Sequence, residues 1–255
     1  MEVLGHAYKV IHGSAARMDL LSNNQADLVL TSPPYFSKEI ETLLTLPRID
    51  QQQPNVIIRE LYTFAATLRP VFEEIHRVLR PGRAFVIQTK DVRYGDILVP
   101  LSDQHLSIAM SCGFNLISRF NWVPAQSSFK RMPGLITKKK VGQFRVSTGE
   151  TFLILAKGLS LECRGNLDST DLDISSLTLP LWRIPFRRKK NDHPHVSPRT
   201  VVKKLIYLLS QEGDLVVDPF AGYGTIIDVA RSLGRLAIGW EIDRECVDEA
   251  LKRLQ

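Results

Sequence analysis

The chain has 255 residues, of which 44% are hydrophobic and 24% charged, and its formal net charge is +6. This composition is typical of a globular protein with a full core, and no apolar stretch is long enough to span a membrane. The three cysteines are widely separated and lack metal-ligand spacing, which favours reduced thiols, a cytoplasmic location and no metal centre.

Strand and helix signals recur along the whole chain. Short apolar runs predict buried strands at residues 8–13, 27–31, 84–87, 116–123, 151–155, 215–217 and 236–241. Apolar residues at helical spacing predict helices over residues 61–79, 101–111, 226–232 and 244–254. A further helix is expected after Ser197 and Pro198, which suit the N-cap and the first helical position. Residues 161–179 are acidic, rich in Ser and Thr and without periodicity, which predicts a linker.

A Thr-Ser-Pro-Pro-Tyr-Phe sequence at residues 31–36 directly follows the second predicted strand. Its two prolines remove two backbone donors and hold the chain extended, so sheet hydrogen bonding must stop there. The turn would present the Ser32 hydroxyl, the Pro33 carbonyl and the Tyr35 ring at the carboxyl end of a strand, where open α/β sheets bind ligands. The alternative is an ordinary Pro-Pro turn, with Tyr35 packed in the core and Ser32 bonded to its own backbone.

A second motif, Asp-Pro-Phe-Ala-Gly-Tyr-Gly-Thr, occupies residues 218–225 between a predicted strand and a predicted helix. Glycines let the backbone approach a ligand closely, and the helix N-terminus offers free N–H groups, so the motif predicts nucleotide binding. Glu241 ends the next predicted strand, where an acidic residue grips ribose hydroxyls. Ile227 replaces the third glycine of a dinucleotide fingerprint, which argues against a pyrophosphate-bearing cofactor such as NAD.

Two segments of the chain are strongly basic. Residues 105–148 contain seven basic and no acidic residues, and residues 183–204 contain eight basic residues against Asp192 alone. Solvated loops also carry such charge, but two segments of this kind in one chain favour a polyanionic partner.

The two motifs resemble those of the S-adenosylmethionine-dependent DNA methyltransferases that modify exocyclic amines of bases. Residues 31–36 resemble the catalytic Ser/Asp/Asn-Pro-Pro-aromatic motif, and residues 218–225 resemble the cofactor motif. His193-Pro194 and the helix after it resemble a segment that helps to close the cofactor pocket. The order of the motifs is similar to that of the circularly permuted β-class. The resemblance covers nearly the whole chain and implies a Rossmann-like methyltransferase fold, with a mainly seven-stranded, mostly parallel sheet and helices on both faces.

The resemblance implies a role for each motif residue. Hydrogen bonds from the target amine to the Ser32 hydroxyl and the Pro33 carbonyl would localise the nitrogen lone pair, and Tyr35 would stack on a base flipped out of the duplex. The implied catalytic residues are Ser32, Pro33, Pro34 and Tyr35. The implied S-adenosyl-L-methionine contacts are Ser14, Thr31, His193, Asp218, Pro219, Phe220, Ala221, Gly222, Gly224, Thr225, Glu241 and Ile242. The implied contacts with double-stranded DNA are Lys130, Arg131, Lys138, Lys139, Lys140, Arg145, Arg187, Arg188, Lys189 and Lys190.

The resemblance also implies the organisation of the protein. We expect one methyltransferase domain over residues 1–255, with a small target-recognition insertion at about 124–180. The protein would be a monomer or a homodimer without membrane contact, with a restriction endonuclease as a possible counterpart. One departure from the family concerns Ser14, which stands where an acidic residue commonly helps to hold the adenine end of the cofactor.

The identity of the target is open to four interpretations. Ser32 favours cytosine N4, because the members that methylate adenine N6 mostly carry Asp at this position, and adenine N6 is the alternative. Methylation of a protein glutamine uses a related Asn-Pro-Pro-Tyr turn, and both Ser32 and the motif order count against it. A basic DNA-binding protein that has lost its cofactor is the non-enzymatic alternative, and Ser14 is the only hint of it.

Overall fold

The computed structural model of the chain describes residues 8–34, 54–94, 97–124, 149–162, 180–184 and 198–255. The strands, numbered in chain order, are β1 (Tyr8–His12), β2 (Ala26–Thr31), β3 (Leu79–Thr89), β4 (Val92–Tyr94), β5 (Ile97–Val99), β6 (Phe114–Pro124), β7 (Glu150–Lys157), β8 (Leu181–Ile184), β9 (Leu215–Asp218) and β10 (Leu236–Glu241). The helices are α1 (Pro54–Val78), α2 (Leu101–Ser111), α3 (Arg199–Leu209), α4 (Thr225–Ser232) and α5 (Arg244–Leu254).

One large sheet organises the described residues. Its strand order is β1-β10-β9-β2-β3-β7-β6-β8, and β4 and β5 form a separate two-stranded ribbon. Neighbouring strands in the large sheet are parallel except at β7, which runs antiparallel to both β3 and β6. The expected α/β fold with a mostly parallel sheet is therefore confirmed.

The described sheet has eight strands rather than the expected seven. The additional strand is β8, which pairs in parallel with β6 at the edge of the sheet. Its four residues are too few for a recognisable period, which is why the sequence did not indicate it. The seven predicted strands are all present, and several are longer than predicted. For example, β3 begins at Leu79, directly after α1, whereas the predicted strand begins at Ala84.

Helices cover both faces of the sheet, as expected. Alternate residues of β2 and β3 enter different core clusters, because successive side chains of a strand point to opposite faces. Val29 and Phe85 pack with residues of α1 and α2, whereas Leu30 and Val86 pack with residues of α3 and α4. The two apolar clusters fix the sheet between helical layers, so the carboxyl ends of the central strands form a defined edge.

Two local predictions differ from the structure or fall outside it. Helix α3 begins at Arg199, and Pro198 is its N-cap rather than its first helical residue. The ψ angle of Pro198 is 103°, which is extended rather than helical, so Pro198 lies just before the first helical residue. Its carbonyl accepts the first N–H bonds of the helix, from Val201 and Val202. Ser197 lies outside the described residues.

The range expected to hold the target-recognition insertion, 124–180, contains a core strand. Within it, β7 lies between β3 and β6 in the large sheet. Residues 125–148 and 163–179 of this range lie outside the described residues, as does most of the predicted linker at 161–179.

Neither a membrane span nor a metal cluster occurs in the described ranges. None of their helices is long and apolar enough to cross a membrane. None of their His, Cys, Asp and Glu side chains form a group of three or more that could hold a metal ion.

Gly239 provides a test of how closely β9 and β10 pack against the turn that follows β9. A Cβ added at Gly239 would lie 2.8 Å from the Ala221 Cβ, 3.2 Å from the Ile227 Cδ1 and 3.3 Å from the Asp218 carbonyl oxygen. We expect Gly239→Ala to lower the free energy of unfolding by about 1–3 kcal/mol, the usual cost of overpacking a core. Gly13→Ala is the control, because no atom lies within 4 Å of its added Cβ. Equal urea midpoints for the two variants would contradict the packing described here.

Candidate active site

The glycine-rich turn after β9 has a conformation that only glycine adopts readily. Gly222 and Gly224 have φ angles of 50° and 73°, in the left-handed region, and Gly224 is the N-cap of α4. A Cβ at Gly224 would also lie 3.1 Å from the Ala250 Cβ, whereas a Cβ at Gly222 would meet no atom within 4 Å. Gly224 is therefore needed for both conformation and packing. Gly222 leaves open space in which a ligand can approach the backbone.

Glu241, at the end of β10, fixes this turn through its side chain. Its Oε2 accepts a hydrogen bond from the Gly222 N–H at 2.8 Å, and its Oε1 accepts one from the Asp243 N–H at 2.9 Å. Asp243 in turn is the N-cap of α5 and accepts bonds from the N–H groups of Glu245 and Cys246. Each carboxylate oxygen of Glu241 has a second lone pair, so the residue can hold the turn and still accept hydrogen bonds from a ligand.

A buried hydrogen bond joins the two sequence motifs. The Thr31 hydroxyl, at the end of β2, donates to Asp218 Oδ1 at the end of β9, with an oxygen–oxygen distance of 2.7 Å. Thr31 is fully buried and Asp218 is 2% exposed. The same Oδ1 accepts the Phe220 N–H at 3.2 Å. Thr31 was assigned to cofactor contacts, but the structure places its hydroxyl on Asp218 rather than at the surface.

The carboxyl group of Asp218 has a raised pKa because it is buried. Loss of hydration raises the pKa of this carboxyl group to about 7, against the opposing effect of the hydrogen bonds from Thr31 and Phe220. The nearby charge of Glu241 raises the pKa further. The carboxyl group therefore changes its charge near neutral pH.

The Ser-Pro-Pro turn starts where β2 leaves the sheet. Thr31 pairs with Ile87 of β3, and Leu28 and Val29 pair with β9 on the other side. Beyond Thr31, Ser32 is half-buried, Pro33 is buried and Pro34 is exposed. The turn thus lies at the carboxyl edge of the sheet, between the ends of β9 and β3.

The end of β1 reaches the same edge from the other side of β10. The Gly13 N–H donates to the Glu241 carbonyl at 2.8 Å, and the His12 ring lies 3.1 Å from the Ile242 carbonyl. Ser14 is exposed, and its hydroxyl oxygen accepts the Ala16 N–H at 3.2 Å. Ile242 is 74% exposed, so a large apolar side chain stands open beside Glu241.

The structure therefore brings together the described members of both predicted site groups. The residues at this edge are Ser14, Thr31, Ser32, Pro33, Pro34, Asp218, Pro219, Phe220, Ala221, Gly222, Gly224, Thr225, Glu241 and Ile242. The predicted site residues outside the described residues are Tyr35, His193, Lys130, Arg131, Lys138, Lys139, Lys140, Arg145, Arg187, Arg188, Lys189 and Lys190.

A polar pair without a role predicted from the sequence lies at the same edge. Gln88, near the end of β3, is 2% exposed, and its Nε2 donates to Oε2 of Glu150, the first residue of β7, at 2.5 Å. The sequence signal was present but weak. Gln88 directly follows the apolar run of β3, and Glu150 comes just before the apolar run of β7.

Comparisons with known proteins agree with this geometry. A sequence model described as DNA methylase matches residues 26–252. The chain is 28% identical to the type II methyltransferase M.MjaI of Methanocaldococcus jannaschii over 93% of this chain and 88% of the relative. It is also 28% identical to the DNA adenine methyltransferase YhdJ of Escherichia coli over 97% of this chain and 83% of the relative. A similar fold occurs in the PvuII DNA methyltransferase (cytosine-N4-specific), with a TM-score of 0.71 and 20% identity over 98% of this chain and 88% of that chain.

The raised pKa of Asp218 predicts how stability depends on pH. Between the ordinary Asp value of 3.8 and about 7, the folded protein holds a proton on Asp218 that the unfolded chain has released. The contribution of Asp218 to stability is therefore lost as pH rises through this window. Asp218→Asn keeps an oxygen for Thr31 and Phe220 but does not titrate. From about pH 5 to about pH 7, wild type should lose stability relative to this variant, by up to about 1.4 kcal/mol per pH unit. Urea unfolding of both proteins over this range measures the difference, and parallel pH profiles would contradict the assignment.

Proposed function

We propose that this chain, which belongs to the DNA methylase family, transfers a methyl group from S-adenosyl-L-methionine to N4 of cytosine in double-stranded DNA. Membership of the family makes the chain a DNA methyltransferase, with S-adenosyl-L-methionine as the methyl donor. The observation that carries the proposal is the single edge at which the glycine-rich turn and the Ser-Pro-Pro turn meet, joined by the bond between Thr31 and Asp218.

The residues at this edge fit the cofactor. When bound, S-adenosyl-L-methionine supplies an electrophilic methyl group on a sulfonium ion. The open backbone at Gly222 accommodates a ligand, and the free lone pairs of Glu241 suit ribose hydroxyls. The exposed Ile242 side chain offers an apolar surface for the adenine ring. Ser14 has no charge to offer the adenine end, and its hydroxyl already accepts a backbone N–H, so Glu241 and Ile242 carry more of the binding.

The Ser-Pro-Pro turn fits the methyl acceptor. An exocyclic amine is a poor nucleophile because its lone pair is delocalised into the ring of the base. The turn presents two acceptors to the amine, the Ser32 hydroxyl and the Pro33 carbonyl, and hydrogen bonds to them localise the lone pair on nitrogen. The nitrogen takes the methyl group as the bond between that methyl and the sulfonium sulfur breaks, and it then gives up one proton to water. Because the turn is rigid and tied to the cofactor side through Thr31, much of the rate should come from holding nitrogen and methyl in line.

DNA contacts in this proposal come from segments beyond the described residues. A target base inside a duplex is reached by flipping, and Tyr35 would stack on the flipped base. The basic residues at 130–145 and 187–190 would contact the DNA backbone, which is strongly anionic. The interleaved apolar residues of 124–147 suit groove reading, so this segment would set the recognition sequence.

Cytosine N4 is proposed as the target because of the residue at position 32. Ser32 matches the members of the family that methylate cytosine N4, whereas those that methylate adenine N6 mostly carry Asp there. The likeness in fold to a methyltransferase described as cytosine-N4-specific supports the same target. Adenine N6 is the second candidate, favoured by the similarity to YhdJ, a DNA adenine methyltransferase, over 97% of the chain.

Mapping of modified bases in DNA from a methylation-free host that expresses this chain tests the proposal. We expect N4-methylcytosine at one short recognition sequence. N6-methyladenine instead would establish the second candidate, and unmodified DNA in the presence of folded protein would contradict both.

Ser32→Ala tests the role of the turn in the same host. We expect methylation to slow by at least about tenfold, because a hydrogen bond to a group that gains charge contributes about 1.5–3 kcal/mol. Binding of S-adenosyl-L-methionine, measured by calorimetry, should not change. Ser22→Ala is the matched control, because Ser22 is an exposed serine before the amino end of β2. Equal methylation rates for the two variants would show that Ser32 is only a turn residue.

A further inference from the structure

The side-chain amide of Gln88 is buried, and only one of its two polar atoms has a hydrogen-bond partner in the described fold. Its Nε2 donates to Glu150 Oε2 at 2.5 Å, and its side chain is 2% exposed. Its Oε1 is buried and has no hydrogen-bond partner among the residues that the structure describes. Since buried polar atoms nearly always have partners, this amide oxygen is an acceptor that a polar ligand at the site edge can use.

Gln88 lies beside the Ser-Pro-Pro turn. Thr31 and Ile87 are register partners in neighbouring parallel strands, so Ser32 and Gln88 occupy the next position along each chain. Neighbouring strands lie about 4.7–4.9 Å apart, which places the two residues within reach of one small ligand. Gln88 and Ser32 also share a face of the sheet. Val86 and Leu30 pack in the same core cluster, and Gln88 and Ser32 come two positions after them.

Glu150 controls which way the amide of Gln88 points. Because β7 runs antiparallel to β3, with Gln88 opposite Phe152, the first residue of β7 comes to the carboxyl end of β3. A carboxylate accepts only from the Nε2 side of the amide, so Oε1 must face away from Glu150. Burial raises the pKa of Glu150, opposed by the Gln88 bond and by the charge of Lys90. The pair is therefore partly buried, with Gln88 in the core and Glu150 half-buried at the site edge.

We propose that the amide of Gln88 binds the Watson–Crick edge of the flipped target base, with Glu150 as its positioning residue. This inference rests on the proposed function. Oε1 accepts one hydrogen of the exocyclic amine, and the second Nε2 hydrogen donates to the adjacent ring nitrogen, N3 of cytosine. The other amine hydrogen is shared between the Ser32 hydroxyl and the Pro33 carbonyl in a three-centre hydrogen bond.

This arrangement explains a preference that the turn alone does not supply. Cytosine and adenine both present an amine donor beside a ring-nitrogen acceptor, which matches an amide. Thymine and guanine present a carbonyl beside a ring N–H, which places acceptor against acceptor and donor against donor. Gln88 would therefore select cytosine and adenine, the two bases in which the exocyclic amine stands beside an unprotonated ring nitrogen. Shielding from water strengthens such a contact.

The test removes the amine from the base and the acceptor from the protein, separately and together. The DNA is a duplex with the mapped recognition site, in which the target is cytosine or 2-pyrimidinone, which lacks only the amine. Binding of both duplexes is measured with S-adenosyl-L-homocysteine present. We expect wild type to prefer cytosine by about 5- to 100-fold, as for a well-placed base contact. Gln88→Leu should reduce this preference at least about fivefold, and Gln88→Met should do the same if the leucine variant does not fold.

Variants of two neighbouring residues separate this role from general destabilisation. Glu150→Gln keeps an acceptor for the Gln88 Nε2 and should keep the preference, whereas Glu150→Leu should lose it. Thr89→Val is the matched control, because it removes a buried hydroxyl next to Gln88 that contacts another residue. The Thr89 hydroxyl oxygen lies 2.9 Å from His105 Nδ1, so the variant should leave the preference for cytosine unchanged.

The possible failures of the test are distinguishable. If wild type methylates the mapped site and the Gln88 variants keep the full preference for cytosine, the inference is wrong and the proposed function stands. If wild type methylates no DNA, the proposed function itself fails.

Discussion

The hydrogen bond between Thr31 and Asp218 is the contact on which the site depends. It joins the carboxyl ends of β2 and β9, and its partners are 187 positions apart in the chain. The Ser-Pro-Pro turn begins directly after Thr31, and the glycine-rich turn begins directly after Asp218. Both side chains are buried, so neither has water as an alternative partner. Together with the pairing of β2 and β9 in the sheet, this bond therefore holds the two turns side by side.

The rest of the edge extends this contact strand by strand. Glu241 ties the end of β10 to the glycine-rich turn, and the Gly13 N–H ties the end of β1 to Glu241. On the other side of β2, Gln88 and Glu150 tie the ends of β3 and β7. The site thus follows the order of strands in the sheet rather than the order of residues in the chain. For this reason a permuted sequence, with its two motifs near opposite ends, still forms one compact site.

Sequence predicted the local features of the site well and the contacts across strands poorly. The strand, glycine-rich turn and helix at 215–232 were evident because period, glycine spacing and helix start all lie within a few residues. The bond between Thr31 and Asp218 was not, because neither residue carries a local sign of its distant partner. Gln88 stands at the end of one apolar run and Glu150 at the start of another, and only the antiparallel pairing of β7 with β3 brings them together. Strand β8 was missed because its four residues show no period.

Removing the Thr31 hydroxyl tests most directly whether this bond organises the site. Thr31→Val keeps the shape of the side chain but leaves Asp218 without its partner, and Thr31→Ser restores the hydroxyl. We predict that Thr31→Val weakens S-adenosyl-L-methionine binding and slows methyl transfer, each by roughly tenfold, since an unpaired buried polar group costs about 1–3 kcal/mol. Thr31→Ser should recover most of both. A folded Thr31→Val protein that binds the cofactor and methylates DNA like wild type would contradict the account.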